Sequence, residues 1–468
     1  MNNTFANAVN APQAVRTTNG MKAVNTTGAS IVDLFFNIGS ARNNQAGIKT
    51  QFARAYAEDK TLAARTLFWA RDVRGGGAGE RQTFRTLMLE LEATDPRTLI
   101  KLLPHVPEYG RWDDLLIFNT KEVKEVAYNI CALGIRSGDG LCAKWMPRKG
   151  LQAAELRRVL NMTPKQYRKT LVSLSNTVEQ KMCAQEWTQI EFGKLPSIAA
   201  KQYMKAFLKH TPDQYAAYKA ALVKGDAKIN ASAIFPHDVI VGMKRGDVQV
   251  GKAQWEALPN YLGDGDNFIL PMVDVSGSMQ TPTGPGANTM CLDVAVALGL
   301  YLADKQKGAF AGMFLTFSGV PELLQLKGDI AQKMRQMSDS HWGMNTDLSR
   351  AFNTVLETAI RGNVPAAEMP KYILIMSDMQ FDACVNFSAI EMIRSKYNAA
   401  GYEMPNVVFW NLNGRYGNQP VTVNEKGVAL VSGFSPAIMT SVLAAENMDP
   451  MSIVLSTINS DRYAAINV

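Results

Sequence analysis

The sequence predicts a multidomain protein in which an all-α helical-repeat region precedes a doubly wound α/β domain. Up to about residue 230, apolar residues recur three and four positions apart, as in amphipathic helices, and strand-like alternation is absent. From about residue 267, short β-rich runs alternate with helical stretches, which is typical of a parallel sheet covered by helices on both faces. A length of 468 residues suffices for two or three such domains.

The helical region is expected over residues 31–260, after a disordered arm at 1–30 that is rich in Asn, Thr and Ala and has turn chemistry. Successive antiparallel helix pairs are the simplest packing, as in an α-solenoid, although no repeat is exact in sequence. The connections carry helix stop and start signals, namely GGGAG at 75–79, Asp95-Pro96, Pro104, and the pairs Thr163-Pro164 and Thr211-Pro212, each a Thr N-cap followed by Pro.

The α/β domain is expected over residues 261–468. Its β-rich runs are apolar on both faces, as strands of a covered parallel sheet are. The pair Ser435-Pro436 has the N-cap and first-turn chemistry that opens the last clear helix. The predicted strands are 268–275, 309–317, 371–377, 406–412 and 428–432, and the predicted helices are 287–303, 328–337, 347–361, 387–400 and 435–446.

Composition excludes several classes of protein. Hydrophobic residues make up 47% and charged residues 19%, which is ordinary for a folded globular chain. The longest nearly apolar stretch, Leu292 to Ala303, contains Asp293 and falls short of the roughly 20 residues that span a bilayer. Five cysteines without a CxxC pair, beside four histidines, indicate neither a disulfide framework nor a zinc site. Without a secretory signal in the sequence, we expect a cytoplasmic protein that does not associate with membranes.

The net charge of +7 is divided unevenly along the chain. Residues 1–250 carry 35 Lys and Arg against 22 Asp and Glu, a balance of +13, whereas residues 251–468 carry 14 against 20, a balance of −6. A basic half of this size is the electrostatic pattern expected of a surface that binds phosphates. A solvated basic exterior without a ligand is the alternative interpretation of the same charges.

A candidate site follows the first predicted strand of the α/β domain. Asp274, Ser276 and Ser278 alternate in the segment DVSGS, and Gly277 gives the backbone freedom to turn, so that the three oxygen-bearing side chains converge. In parallel sheets, ligands bind at the carboxyl ends of strands. A carboxylate and two hydroxyls supply about half of the oxygen shell that a hard cation such as Mg²⁺ prefers.

Two further loops complete a recognisable pattern. Thr346 precedes a predicted helix, and Asp378 ends the predicted strand KYILIMS. Together with DxSxS, they resemble the metal-ion-dependent adhesion site of von Willebrand factor A domains. The resemblance implies that Ser276, Ser278 and Thr346 bind a divalent metal, Mg²⁺ or Mn²⁺, through their hydroxyls, and that Asp274 and Asp378 bind it directly or through water. An open coordination position would then attract an acidic group of a partner protein. N-caps and turn residues without an ion are the alternative.

Five longer segments form a further pattern: FWARDVRGGGAGER (68–81), PEYGRWDDLL (107–116), EWTQIEFGKLPSIAAKQYMKAF (186–207), INASAIFPHDVI (229–240) and GVALVSGFSP (427–436). Together they resemble the Ro autoantigen, or TROVE, family and its Ro-like relatives, from about residue 30 to residue 450. In that family a ring of HEAT-like helical repeats is closed by a von Willebrand factor A domain, and the basic ring binds RNA. The resemblance therefore implies an RNA-binding protein of a ribonucleoprotein, with structured or misfolded noncoding RNA as its ligand.

The candidate RNA contacts are clusters of cations beside flexible backbone or rings. One cluster flanks the GGGAG turn, where a guanidinium and exposed backbone would hold a phosphate, unless these arginines pair with Asp72 and Glu80. Two others surround Trp145 and Tyr167, although a ring at helical spacing is more often a core residue. Arg111 is a candidate that would alternatively brace Asp113 or Asp114. The candidate RNA-binding residues are Arg71, Arg74, Arg81, Arg111, Lys144, Arg148, Lys149, Lys165, Arg168 and Lys169.

Enzymatic function is not expected from the motifs. GGGAGE lacks the GK[ST] ending of a P-loop and follows a helix, and no GxSxG elbow is present in the sequence. Two rivals to RNA binding remain at this point. One is a protein-interaction adaptor whose metal captures an acidic side chain. The other is a metal-assisted nuclease or phosphatase. It is disfavoured because such enzymes commonly use two metals, whereas the pattern here predicts one.

Overall fold

The computed structural model describes residues 11–231, 234–245, 248–317, 320–339, 347–382, 389–414 and 417–468, and it confirms the predicted fold class. Helices dominate between residues 30 and 256. None of the described helices is long and apolar enough to cross a membrane. The helices of this region are α1 (Ser30–Ile38), α2 (Gln45–Glu58), α3 (Lys60–Arg71), α4 (Arg81–Thr94), α5 (Pro96–Leu102), α6 (Val106–Tyr109), α7 (Lys121–Arg136), α8 (Gly140–Trp145), α9 (Gly150–Leu160), α10 (Pro164–Ser175), α11 (Val178–Cys183), α12 (Ser197–His210), α13 (Pro212–Lys224), α14 (Pro236–Lys244) and α15 (Val248–Glu256).

Short polar side chains start several of these helices, as the sequence predicts. Thr163 caps α10 by accepting a hydrogen bond from the backbone N–H of Gln166, whose side chain accepts from the Thr163 N–H in return. Thr211 occupies the position before α13, but its hydroxyl donates back to the carbonyl of Phe207 at 3.1 Å. The Thr-Pro pair therefore marks the helix start in both cases, whereas the capping bond forms only in the first.

The second region is a six-stranded sheet with helices. Its strands are β3 (Ile269–Asp274), β4 (Met313–Phe317), β5 (Leu323–Gln325), β6 (Tyr372–Ser377), β7 (Asn406–Asn411) and β8 (Val428–Ser432), and its helices are α16 (Cys291–Lys305), α17 (Ile330–Ser338), α18 (Leu348–Gly362), α19 (Ala389–Ala399), α20 (Ile438–Ala444) and α21 (Pro450–Ile458). The strands lie in the order β5-β4-β3-β6-β7-β8. Neighbouring strands are parallel except β5, which runs antiparallel to β4 at the edge. The five predicted strands are confirmed, while the three-residue β5 and the helix α21 were not predicted.

Residues 11–30 are ordered in the structure, contrary to the prediction of a disordered arm. Residues 1–10 lie outside the described residues. Two short strands, β1 (Ala14–Arg16) and β2 (Lys22–Val24), form an antiparallel hairpin that lies on the α/β domain. Val24 and Gln419 exchange backbone hydrogen bonds at 2.9 and 2.8 Å. Met21 is buried against the main core. These partners lie about 400 positions away, so the local turn chemistry that suggested disorder could not reveal them.

Both ends of the helical region dock on the α/β domain. At the first end, α1 packs on β8, and the Ser432 hydroxyl donates to the carbonyl of Phe35 at 2.8 Å and accepts from the N–H of Gly39 at 3.0 Å. At the other end, α14 packs on α16. One continuous hydrophobic core therefore runs through both regions. Because both ends of the helical region contact the sheet domain, the helices and the sheet domain together form a closed path.

A smaller core lies apart from the main one. It is formed by segments between α11 and α13, and aromatic rings fill it, with Phe192 in edge contact with Phe207 and Tyr215 at centroid distances of 5.1 and 5.2 Å. The helix α13 connects this cluster back to α15. The segment thus completes the path of helices between α10 and α14.

Candidate metal centre and nucleic-acid interface

The carboxylate of Asp274 lies at the carboxyl end of β3, at the centre of the sheet, and is fully buried. Its Oδ1 accepts a hydrogen bond from the backbone N–H of Ser276 at 2.9 Å, which closes the turn of the DVSGS segment. The hydroxyls of Ser276 and Ser278 lie 3.1 Å apart. The predicted convergence of these three side chains is therefore present.

The neighbouring strand β6 brings the second carboxylate to the same edge. Its last residue, Ser377, donates from its hydroxyl to Oδ2 of Asp274 at 2.6 Å. Asp378 follows directly, and its Oδ1 accepts from the backbone N–H of Gln380 at 3.2 Å. Sequence reasoning did not assign a role to Ser377, although its place beside Asp378 at a strand end was a usable signal. Ser377 fixes the orientation of the Asp274 carboxylate.

The electrostatics of this edge favour a cation. The pKa of Asp274 is raised to about 7, mainly by burial and further by the nearby negative charge of Asp378, while the hydrogen bonds from Ser377 and Ser276 partly offset these effects. Two carboxylates that share a buried site repel each other when both are ionised. A divalent cation placed between them would remove this repulsion and hold both in the charged form.

The donor set fits Mg²⁺ or Mn²⁺. The Ser276 hydroxyl contacts both the Ser278 hydroxyl and the Asp274 carboxylate, and Ser276 does not cap the short helical turn that it precedes. The two hydroxyl oxygens therefore lie beside a carboxylate, as ligands of one cation would, and Ser278 is half-buried. No group of three or more His, Cys, Asp or Glu side chains suited to a metal occurs among the described residues, so a metal at this edge would need the serine hydroxyls among its ligands. Thr346, the fifth predicted ligand, lies outside the described residues.

The hairpin supports the loop that carries Asp378. The Thr17 hydroxyl donates to the carbonyl of Phe381 at 2.6 Å, and the Asn19 side chain donates to the carbonyl of Gln380 at 2.7 Å. Gly20 also forms a bridge with Asp382. The amino-terminal segment is therefore part of the structure that positions the candidate metal site.

The structure does not support the prediction that Arg71 contacts RNA. Its side chain is only 2% exposed, and its Nε donates to Oδ2 of Asp114 at 2.8 Å. Asp114 is fully buried and also accepts from Arg85 at 2.6 Å. A guanidinium enclosed in this way supports the junction of α3, α4 and the 112–116 turn and cannot reach a ligand.

The other cations near the GGGAG turn also have protein partners. Arg111 donates two hydrogen bonds to Asp113, at 3.0 and 2.8 Å, as its alternative interpretation proposed. Arg81 donates to the same carboxylate at 2.6 Å, but 43% of its side chain remains exposed. Arg74 is exposed and donates to the carbonyls of Pro107 and Glu108. Arg81 and Arg74 therefore keep exposed surface, whereas Arg111 mainly stabilises the turn that contains Asp113.

The GGGAG turn itself is held by a carboxylate. Buried Asp72 accepts from the backbone N–H groups of Arg74 and Gly75 at 3.0 and 2.9 Å. The same carboxylate accepts from Arg462 and Tyr463, near the end of the chain. These N–H groups are occupied, so the backbone of this turn does not offer them to a phosphate.

Two of the predicted clusters form one surface, which we call the α8–α10 basic surface. The helices α8 and α10 pack together, and the Tyr167 hydroxyl donates to the carbonyl of Pro147 at 3.0 Å, which fixes the loop after α8 against α10. Within the described part of the chain, no carboxylate lies within ion-pair distance of the cations of this surface, although Glu179 attracts Lys144 electrostatically. The surface comprises Lys144, Arg148, Lys149, Lys165, Arg168 and Lys169, all of them exposed except Lys144, which is half-buried.

The two rings within these clusters have different environments. Tyr167 is buried in the core, so it is not a stacking surface for a base. Trp145 is half-buried, and the guanidinium of Arg111 lies over its ring at 3.6 Å from the centroid. A cavity of about 730 Å³ adjoins Trp145 and is lined by the cations Lys144 and Arg148 and by one carboxylate, that of Glu179. Trp145 is therefore the ring at this surface that a ligand could approach.

Fold and site together define a class of protein: a scaffold of helices closed on a doubly wound α/β domain, with carboxylates and serines gathered at the strand ends. The chain belongs to the family described as "Domain of unknown function (DUF2828)", which matches residues 17–125 and 131–264, just over half of its length. Residues 269–463 match a second family, "Domain of unknown function (DUF7788)". These two matches meet at the transition between the helices and the sheet.

A full-length relative and a solved structure are also similar. The protein is 30% identical over 502 aligned positions to "Uncharacterized protein L728" of Acanthamoeba polyphaga mimivirus, covering 94% of this chain and 86% of that protein. The crystal structure of the Deinococcus radiodurans RO (RSR) protein is similar over 92% of this chain and 93% of that chain, at 13% identity and a TM-score of 0.37. The matching families carry no TROVE description, so the resemblance to that family stays a prediction.

Proposed function

We propose that this protein binds RNA through the α8–α10 basic surface and is not an enzyme. The observation that carries the proposal is the set of cations on α8, α10 and the loop between α8 and α9, which are exposed except for half-buried Lys144 and have no ion-pair partner in the described part of the chain. Unpaired cations on neighbouring helices repel each other, and polyanion phosphates would relieve that repulsion. The surplus of positive charge in residues 1–250 supports the same proposal.

Structured noncoding RNA with a single-stranded end is the proposed ligand. The closed path of helices presents rigid positions for backbone phosphates, and Trp145 beside its cavity supplies one ring on which an unpaired base would stack. Few exposed rings accompany the cations, so phosphate contacts should contribute most of the affinity. Binding of this type tolerates many sequences.

The second part of the proposal is a divalent-metal site at the carboxyl ends of β3 and β6. Asp274, Ser276, Ser278 and Asp378 would hold Mg²⁺ or Mn²⁺, with Thr346 as a further ligand from the sequence pattern. Because neutral hydroxyls supply much of the shell, the metal would remain electron-poor and take an acidic group of a partner protein at its open position. The adaptor function thus becomes a second activity of the same chain.

A salt series tests RNA binding directly. The dissociation constant of a stem-loop RNA with a single-stranded end is measured by fluorescence anisotropy between low and physiological ionic strength. Counterion release predicts that binding weakens linearly on a double-logarithmic plot, with a slope that reflects several phosphate contacts. No binding at low salt, or binding independent of salt, would contradict the proposal and favour the adaptor alone.

A further inference from the structure

A cavity of about 490 Å³ lies between the helical region and the α/β domain, and we call it the junction cavity. Its helical wall is formed by Arg42, Arg81, Gln82 and Arg85, near the start of α4. Its other wall is the loop with Pro285 and Ala287, which follows the DVSGS segment. No carboxylate is among the described residues that line it. A cavity lined by three guanidiniums suits an anion rather than an apolar ligand.

Cations outnumber carboxylates in the network beside the cavity. Arg71, Arg81, Arg85 and Arg111 share the two carboxylates of Asp113 and Asp114, whereas Arg42 has its own carboxylate partners. The Nη2 atom of Arg85 is buried and lies 3.0 Å from Asp113 Oδ2, but it makes no hydrogen bond of good geometry within the described residues. An anion in the cavity would bring a further acceptor to the guanidinium of Arg85, which is one of the groups that line the cavity.

The third arginine is already fixed in place. Arg42 donates two hydrogen bonds of 2.7 Å to Glu80, whose carboxylate is fully buried, and its guanidinium lies over the Phe434 ring at 4.2 Å from the centroid. Asp238 adds a weaker electrostatic attraction. Because these contacts hold Arg42 before any ligand arrives, little side-chain entropy would be lost on binding.

The opposite wall is held against the same element. The side chain of Asn43 donates to the carbonyl of Pro282 at 2.8 Å, and Gly284 packs so closely on Arg42 that an added Cβ would lie 3.3 Å from the Arg42 Cβ. The two walls of the cavity are therefore connected, and a ligand between them would contact both domains.

We propose that the junction cavity binds a backbone phosphate of the RNA, so that the RNA spans both domains. This inference rests on the proposed function and adds a second, separate contact to the α8–α10 basic surface. The guanidiniums of Arg81 and Arg85 would donate to the phosphate oxygens while keeping their partners Asp113 and Asp114. Free inorganic phosphate has the same chemistry and is the alternative source of the anion.

The variant Gln82→Glu tests the inference without removing a structural arginine. Gln82 is exposed at the second position of α4, where a carboxylate is favourable for the helix, so folding should be unaffected. In the cavity, the added negative charge should weaken binding of a single-stranded RNA oligonucleotide about tenfold at low salt. Gln249→Glu is the matched control, because Gln249 is an exposed residue at the second position of α15.

The outcomes separate this inference from the proposed function. Weaker RNA binding by Gln82→Glu, with wild-type affinity for Gln249→Glu and unchanged melting temperatures, supports the junction cavity. Wild-type affinity of Gln82→Glu overturns it, and the proposed function survives if charge removal on the α8–α10 basic surface still weakens binding. If inorganic phosphate raises the melting temperature of the wild type but not of Gln82→Glu, while both bind RNA equally, the ligand is free phosphate. A wild type that binds no RNA overturns both proposals.

Discussion

At the scale of single residues, the proposed metal site depends most on Asp274. It is buried at the end of the central strand, and its two oxygens are oriented by Ser276 and Ser377. Asp274→Ala should therefore abolish Mg²⁺ and Mn²⁺ binding, measured by isothermal titration calorimetry, while the apolar strands preserve the sheet. RNA affinity should stay unchanged, because the cations lie on the helical region. Equal metal binding by wild type and variant would contradict the site.

The raised pKa of Asp274 leads to a prediction about pH. Without metal, the folded protein keeps a proton on Asp274 up to about pH 7, whereas the unfolded chain releases it near the ordinary value of 3.8. The free energy of unfolding should therefore fall as pH rises from about 4 to 7, by an amount on the order of a few kcal/mol.

Metal ions should reverse this trend, because they bind the ionised carboxylate in competition with protons. The gain in melting temperature on adding Mg²⁺ should consequently be larger at pH 8 than at pH 6. In Asp274→Asn, which cannot ionise, the gain should be small at both values. An Mg²⁺ effect of the same size at both pH values in the wild type would disagree with the proposed ligand role.

The sequence predicts a site residue well when the contacts of that residue are local, and poorly when its partners are distant along the chain. Asp274, Ser276 and Ser278 are close in sequence, and Asp378 is at a strand end, so strand order alone brings them to one edge. Arg71 was placed wrongly because its partner, Asp114, is 43 positions away. A conspicuous arginine beside a glycine-rich turn gives no local sign that it is buried.

At the scale of elements, the contact of α1 with β8 joins the two regions. Gly39 ends α1 so close to β8 that an added Cβ would lie 2.5 Å from the carbonyl oxygen of Ser432. Gly39→Ala should therefore reduce the free energy of unfolding by about 2 kcal/mol, since backbone must move to admit the methyl group. Urea denaturation would measure the change.

The matched control is Gly265→Ala, in an exposed segment before β3. There the nearest atom to an added Cβ is the Asn267 side-chain oxygen at 3.9 Å, so the effect should stay within about 0.5 kcal/mol. If the two variants were equally stable, the close approach of α1 to the sheet would be absent in solution.

Elements with a strong local pattern were predicted, and those defined by distant partners were not. The four long parallel strands beyond β3 are apolar runs bounded by turns, which any sheet of this class requires. The hairpin of β1 and β2 and the edge strand β5 contain three residues each, too few for a periodic signal. The hairpin is held in place by contacts with the α/β domain, such as the backbone hydrogen bonds between Val24 and Gln419.

At the scale of the whole molecule, the division of charge corresponds to the proposed division of roles. The basic half forms the helical path, both ends of which dock on the α/β domain, and the acidic half forms the sheet with its candidate metal site. The α8–α10 basic surface and the junction cavity lie at different places on that path. RNA held at both would link the helices to the α/β domain.

The central claim is that the α8–α10 basic surface binds RNA. Its most direct test is the triple variant Lys165→Gln, Arg168→Gln and Lys169→Gln, which removes three exposed charges from α10 and leaves the core residue Tyr167 in place. The control is the triple variant Lys327→Gln, Arg335→Gln and Arg361→Gln, which removes three exposed charges from the α/β domain.

The measurement is the dissociation constant of the stem-loop RNA for both variants and the wild type across the same salt series. The α10 variant should bind more weakly by about 1 to 3 kcal/mol, and the slope of its salt dependence should fall by about one unit for each phosphate that is no longer neutralised. The control should keep nearly the wild-type affinity and slope, and circular dichroism should show all three proteins folded. An α10 variant that binds RNA as the wild type does, or no more weakly than the control, would contradict the claim.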